Sequence, residues 1–248
     1  MPTLFWDIET RSAVLLEDAG AWRYAADATT DVLCVGYAVD DAEPQIWLPG
    51  QAIPEEFFTA ASDPAWELVA HNFMFERAIA THILQPRFGW PEIPLARQRC
   101  SMTMALAHAL PAKLEKTARA LNLAYQKDLE GYRIMMQLSR PRRPRKGEDP
   151  NGLYWVEDPK KHERLQRYCK RDVEVEREVY RCFPPLLPSE QRLWELDAII
   201  NAHGFYTDIA LTKAARKVAR AEQVNINAEI RTLTNGEIIS VNQVDTAD

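Results

Sequence analysis

Two acidic residues near the start of the chain are the first feature whose type and spacing suit chemistry. Asp7 and Glu9 stand at the end of a short apolar run that predicts a strand over residues 4–8. Residues two apart on a strand project to the same face, so both carboxylates can reach one point. Hard divalent cations such as Mg²⁺ prefer oxygen ligands, and two neighbouring carboxylates can begin such a site. Taken alone, such a pair is more typical of a solvated surface.

A third carboxylate, Glu76, lies near the start of a predicted helix. Apolar residues recur at helical spacing over residues 73–84, and Asn72 is placed to cap this helix. The dipole of a helix favours an anion at its N-terminus, so Glu76 suits this position with or without a metal.

Tyr168 and Asp172 lie four residues apart on a long, charged helix predicted over residues 160–182. This spacing places both side chains on one face, one turn apart. The hydroxyl of Tyr168 can then hold a water near a metal bound by Asp172. The structural alternative is a tyrosine that packs on the core beside an aspartate in an ordinary surface ion pair.

The order of these three elements resembles a known family. D-x-E, then N-x-x-F-acid, then Y-x-x-x-D is similar to the three exonuclease motifs of the DEDD superfamily, in the tyrosine variant of that superfamily. The tyrosine variant is found in the proofreading domain of phage-type family A (polymerase I-like) DNA polymerases. The resemblance covers most of the chain, and it extends to residues 22–25, 32–39, 114–121 and 168–176.

This resemblance implies a two-metal phosphodiester hydrolase that uses two Mg²⁺ or Mn²⁺ ions about 3.5–4 Å apart. Asp7 would bridge both ions. Glu9 and Asp172 would complete the shell of the first ion, and Glu76 would hold the second through water. Tyr168 would orient the attacking water.

Position 76 departs from the family pattern, because the usual residue there is aspartate and this chain has Glu76. The additional methylene group lengthens the reach to the second metal. It could weaken that metal site or favour Mn²⁺. Since a carboxylate is retained, we expect an active site.

The order of elements predicts an α/β fold in which a mixed sheet is flanked by helices. The resemblance implies that this is the ribonuclease H-like arrangement. Strands are predicted at residues 4–8, 32–39, 45–48 and 67–70. Helices are predicted at residues 73–84, 102–110, 114–121, 131–138, 160–182, 188–202 and 211–233, with a further small strand at 205–209.

A proline-rich bend near residue 185 predicts a domain boundary. Residues 1–185 would form the exonuclease domain, and residues 186–248 would form a helical C-terminal appendage that resembles the start of a polymerase thumb. A chain of 248 residues has no room for palm and fingers, so we expect no polymerase activity. The chain would be a free-standing exonuclease or a fragment of a polymerase lineage.

The composition is that of a soluble globular protein, with 46% hydrophobic and 27% charged residues. The sequence has no apolar run of the roughly 18 residues that a membrane span needs, and no secretory signal is visible. The four cysteines are scattered without a CxxC pair, which suits a reducing cytoplasm.

The net charge of −6 gives little support to nucleic-acid binding, but one loop is strongly basic. Arg140, Arg142, Arg143 and Arg145 crowd between prolines in an exposed loop predicted over residues 139–152. They could contact the phosphate backbone, or they could solubilise a mobile surface loop. Asn72 could help position the terminal nucleotide, although the role of a plain helix cap is an equal alternative.

The function expected from these features is removal of nucleotides from single-stranded or frayed DNA 3′ ends. A polymerase could act in trans. One rival is an RNA 3′ exonuclease of the ribonuclease D kind, because the same site can cleave either polymer. The other is a remnant proofreading module that binds DNA or a polymerase without cutting.

Overall fold

The computed structural model describes residues 1–124 and 128–243. The strands of this part of the chain are β1 (Thr3–Arg11), β2 (Asp31–Val39), β3 (Gln45–Trp47), β4 (Glu67–Ala70) and β5 (Gln98–Cys100). Its α-helices are α1 (Leu16–Ala26), α2 (Glu55–Ser62), α3 (Phe73–Ile79), α4 (Ser101–Ala107), α5 (Leu114–Ala120), α6 (Leu129–Leu138), α7 (Pro159–Arg181), α8 (Pro188–His203) and α9 (Ile209–Leu233).

The five strands of the described chain form one mixed sheet in the order β3-β2-β1-β4-β5. The central strand β1 pairs antiparallel with β2 and parallel with β4. This confirms the predicted mixed, ribonuclease H-like sheet flanked by helices. The short edge strand β5 was not predicted, because its sequence Gln-Arg-Cys has no apolar alternation.

Side chains of β1 alternate between two environments, as the two-residue period of a strand requires. Leu4, Trp6 and Ile8 enter the larger hydrophobic core. Each fully buried large side chain contributes about 1.5–3 kcal/mol to folding. Phe5 and Asp7 point to the opposite face, where Phe5 belongs to a smaller buried cluster that includes α7 side chains. The candidate carboxylates therefore lie between the sheet and α7.

A glycine allows α7 to approach this face closely. Gly36 is paired with Asp7 across the β1–β2 ladder. A Cβ atom on Gly36 would lie 2.8 Å from Cys169 Sγ and 3.2 Å from the Val173 side chain, both on α7. The helix can pack at its observed distance because position 36 has no side chain.

The predicted helix over residues 73–84 is α3 followed by a π-helical segment, Ala80–Phe88. Pro86 lies in that segment and lacks a backbone N–H, which disfavours a regular α-helix there. The prediction of Asn72 as a side-chain cap is wrong. Asn72 adopts the left-handed conformation with φ of 73° and accepts no capping hydrogen bond.

One further prediction needs correction, and two helices were missed. The strand predicted at residues 205–209 is wrong, because residues 204–208 have no strand structure in the described chain and α9 begins at 209. Helices α1 and α2 were not predicted. In α1 the backbone breaks at Gly20, where φ is 72°, so the segment lacks one continuous apolar face.

The chain divides into two compact units, one spanning Met1–Ala202 and the second beginning at His203. Helix α8 lies almost entirely in the first unit, where Trp194 packs on Phe73 with ring centroids 6.3 Å apart. The compact first unit thus extends past residue 185, and the assignment of residues 1–185 and 186–248 to separate domains stays a prediction. No helix in the described residues is both long enough and apolar enough to cross a membrane.

Replacing Gly36 by alanine should destabilise the protein by about 1–3 kcal/mol, because the new methyl group overpacks the contact with Cys169. Urea denaturation would measure this loss. Adding Cys169→Ala to the Gly36→Ala chain should restore part of it, with Cys169→Ala alone as the control. Wild-type stability in Gly36→Ala would contradict close packing at this position.

Candidate active site

Three carboxylates converge between the sheet and α7. Asp7, Glu9 and Asp172 each offer one oxygen, and these oxygens all lie within 4.8 Å of one another. Strand β4 pairs with β1 only as far as Phe5 opposite Val69. The two β1 carboxylates therefore lie beyond the end of β4, where the sheet opens.

The β1–β2 ladder is irregular at this point. Its register shifts between Glu9 and Thr10. Such bulges bend a strand and re-aim its side chains. Strand β1 also continues to Arg11, so Asp7 and Glu9 lie within the strand and not at its end as the sequence predicts.

Burial raises the pKa values of these carboxyl groups. The pKa of Asp7 is raised to about 6, mainly by desolvation, although the Cys169 thiol donates a hydrogen bond that opposes the rise. The pKa values of Glu9 and Asp172 are raised well above their ordinary values, first by desolvation and then by the charge of Asp7. Carboxylates held so close repel one another unless a cation is bound. This all-oxygen donor set fits a hard divalent cation.

Glu76 lies in the first turn of α3 and is 3% exposed. It is outside the group of three oxygens that approach within 4.8 Å. Desolvation and then the charge of Asp7 raise its pKa well above the ordinary value. Its Oε2 atom has no hydrogen-bond partner among the described residues.

Tyr168 occupies the turn of α7 that precedes Asp172, and desolvation followed by the charge of that carboxylate raises the pKa of its phenol. The ring packs against α6, where a Cβ on Gly131 would lie 2.5 Å from Tyr168 Cδ2. Asp128 caps α6 by accepting a hydrogen bond from Gly131 N at 2.8 Å, and it forms an ion pair with Arg164 of α7. These contacts fix the position of Tyr168 between the two helices.

A cleft of about 430 Å³ opens beside Glu9. Its walls are mostly apolar and aromatic, and they include Phe75, Tyr132 and Met136. Arg140 also lines it and forms an ion pair with Glu17 at 3.0 Å. The cleft is thus lined by apolar side chains, a carboxylate and an exposed cation.

The other arginines of the basic loop differ in their environment. Arg142 forms two hydrogen bonds of 2.7 Å with Glu148, whose pKa is lowered to about 2 mainly by this contact. The Arg142 guanidinium also lies 4.9 Å from the centre of the Tyr154 ring. Its charge therefore serves the internal structure of the loop. Arg143 and Arg145 are exposed.

Sequence reasoning missed one acidic residue near this centre, Glu176. It lies on α7 one turn after Asp172 and is 1% exposed. The signal was present, because Tyr168, Asp172 and Glu176 follow one another at intervals of four residues. Such spacing keeps all three side chains on one side of the helix.

Comparison with known proteins gives one similar sequence and a weak structural likeness. The chain is 35% identical over 240 residues to the DNA polymerase of Bacillus phage SP02. The match covers 94% of this chain but spans only 36% of the length of that polymerase. No protein-family model matches.

Two solved structures of Brucella melitensis NrnC, one with bound Mg²⁺, have a TM-score of 0.41 with this chain. Their sequence identities to it are 13% and 14%. Each match covers 84% of this chain and 89% of the NrnC chain.

Replacing Asp7 by asparagine should stabilise the metal-free protein, because it removes a buried charge at nearly constant volume. The gain at pH 8 should be on the order of 1–3 kcal/mol. The raised pKa means that the wild type loses stability as pH rises from the ordinary 3.8 to about 6, so the advantage of the variant should grow over that range. Chemical denaturation in EDTA would measure it.

The exposed Glu43→Gln change in a surface turn is the control and should leave stability nearly unchanged. Adding Mn²⁺ should raise the melting temperature of the wild type and of Glu43→Gln much more than that of Asp7→Asn. A lower stability of Asp7→Asn than of the wild type in EDTA would contradict charge repulsion at the site.

Proposed function

We propose that this chain is a metal-dependent 3′–5′ exonuclease of the DEDD tyrosine type. It would remove nucleotides from single-stranded or frayed DNA 3′ ends by a two-metal mechanism. The observation that carries the proposal is the convergence of oxygens of Asp7, Glu9 and Asp172 within 4.8 Å, with Tyr168 one helical turn before Asp172. The residues come from β1 and α7, which are far apart in the sequence but adjacent in the folded first unit.

The acidic side chains have distinct proposed roles. Glu9 and Asp172 would hold one cation together with Asp7, and Glu76 would contribute to the second on the other side of Asp7. When bound, two Mg²⁺ or Mn²⁺ ions supply an activated water nucleophile and stabilise the charge on the leaving 3′ oxygen.

Tyr168 would act as a hydrogen-bonding group and not as a base. Desolvation and the charge of Asp172 raise its pKa, so the phenol stays protonated at neutral pH. A protonated hydroxyl beside Asp172 can accept a hydrogen bond from a water and donate a hydrogen bond to the carboxylate. Gly131 supports this role, since its missing side chain leaves room for the Tyr168 ring.

The cleft beside Glu9 suits an unpaired terminal nucleotide. Its volume of about 430 Å³ lies in the range of small-molecule sites. Phe75 and Tyr132 offer aromatic surface, and stacking of a base on such a ring contributes about 1–3 kcal/mol. Arg140 at the cleft wall and the exposed Arg143 and Arg145 would contact the phosphate backbone. Asn72 would help to position the terminal nucleotide.

Similarity to a phage DNA polymerase supports DNA as the substrate and proofreading as the biological role. Because the chain spans 36% of that polymerase, a polymerase partner in trans or in the same polypeptide remains part of this proposal.

Digestion of a 5′-labelled single-stranded DNA oligonucleotide would test the proposal. With Mg²⁺ or Mn²⁺ we expect a ladder of products shortened from the 3′ end, and EDTA should abolish it. Asp172→Asn should lower the rate at least about 100-fold, because it removes a carboxylate of the metal site. Glu178→Gln, an exposed change on the same helix, should retain wild-type activity.

A matched RNA oligonucleotide separates the DNA enzyme from an RNA 3′ exonuclease, since faster digestion of RNA would overturn the DNA assignment. A protein that binds the DNA oligonucleotide but produces no ladder in either metal would instead be a binding module. Blunt duplex DNA should be degraded more slowly than a duplex with an unpaired 3′ end.

A further inference from the structure

Glu176 is a buried acid to which neither the proposed mechanism nor the predicted motifs assign a role. It lies in the middle of α7 and is 1% exposed, between the buried residues Val175 and Val179 of the same helix. Its Oε1 atom has no hydrogen-bond partner among the described residues. A buried carboxylate oxygen without a partner is costly, so a ligand at this oxygen would stabilise the protein.

Its charged neighbours belong to the candidate site. The charge of Glu76 has the strongest electrostatic influence on Glu176, followed by those of Asp7 and Asp172 among the acidic groups. Glu76 is itself 3% exposed and also leaves one oxygen, Oε2, without a partner. Two buried carboxyl groups that influence one another electrostatically thus each have an oxygen without a hydrogen-bond partner, one on α3 and one on α7.

Within residues 1–124 and 128–243, no basic side chain is among the groups that shift the pKa of Glu76 or Glu176. Besides desolvation, the side chains that raise the pKa of Glu76 are Asp7 and Cys100. Those that raise the pKa of Glu176 are likewise all acidic or thiol side chains. Burial of two acids beside a third without a compensating cation costs several kcal/mol per ion. A divalent cation bound by oxygen ligands would satisfy both charge and coordination.

We propose that Glu176 and Glu76 would together hold one divalent cation. This inference rests on the proposed two-metal function and deepens it, because it assigns an additional ligand to the second cation. It also gives a reason for the glutamate at position 76. A longer side chain from α3 can share a cation with a carboxylate supplied by α7.

Binding of Mn²⁺ to the full metal-depleted chain tests this assignment independently of catalysis. Titration calorimetry and the electron paramagnetic resonance signal of free Mn²⁺ both give stoichiometry and affinity. We expect two equivalents in the wild type. In Glu176→Gln one of them should be lost or weakened at least about tenfold, while the matched exposed variant Glu178→Gln should bind two.

The outcomes separate this inference from the proposed function. If Glu176→Gln binds two equivalents with wild-type affinity, the inference is overturned, and a metal-dependent DNA ladder from the wild type would leave the exonuclease proposal intact. If the wild type binds one equivalent and still digests DNA, the assignment of a cation to Glu76 and Glu176 is also wrong. If the wild type neither binds Mn²⁺ nor digests DNA, both proposals fail.

Anomalous scattering from a wild-type crystal soaked in Mn²⁺ gives the answer even if Glu176→Gln does not fold. A peak within ligand distance of both Glu76 and Glu176 would support the inference. Occupied peaks only at Asp7, Glu9 and Asp172 would overturn it.

Discussion

Repulsion between buried carboxylates is the constraint on which the first unit depends. Folding brings oxygens of Asp7, Glu9 and Asp172 within 4.8 Å of one another, with Glu9 buried and the two aspartates partly buried. Like charges in such a position oppose the packing that surrounds them. The hydrophobic core on the other face of β1, built around side chains such as Trp6, must supply the free energy that holds this arrangement together.

The scaffold meets this constraint with small residues at the points of closest contact. Gly36 lets α7 reach the sheet opposite Asp7, and Gly131 lets the Tyr168 ring pack against α6. The thiol of Cys169 donates a hydrogen bond to Asp7 Oδ2 at 3.4 Å and offsets part of the cost of burying that carboxylate. The packing of α7 therefore determines both the stability of the first unit and the arrangement of the candidate site. Substitutions at Gly36, Gly131 or Cys169 should affect both.

Much of the fold was predictable because local pattern and final structure agree. Strand β4 begins and ends where its apolar run predicts, and α7 has a clear N-terminus, with Asp158 as cap and Pro159 in the first turn. The three residues of β5 have no such pattern, since they are ordered by pairing with β4. Residues 205–209 carry a β-like sequence but have no strand partner in the described chain, which shows that propensity alone does not make a strand.

The candidate site was predictable only through the order of its motifs. Each carboxylate taken alone is equally consistent with a solvated surface residue. The spacing of Tyr168 and Asp172 indicates a metal site only in combination with Asp7 and Glu9. The conformation of Asn72 could not be read from its residue type, because asparagine suits both a cap and a left-handed turn. Burial of Glu176 depends on how α7 is rotated against the sheet, and this is a tertiary property.

The distance along the chain between β1 and α7 has a consequence for protein synthesis. Strand β1 ends at Arg11 and leaves the ribosome well before α7, which begins at Pro159. Until α7 is synthesised, Asp7 and Glu9 remain solvated and the carboxylate of Asp172 is absent from the site. A nascent chain with its sheet already paired cannot yet hold a cation among the three carboxylates. A cation site built from all three carboxylates can therefore form only once α7 has packed against the sheet.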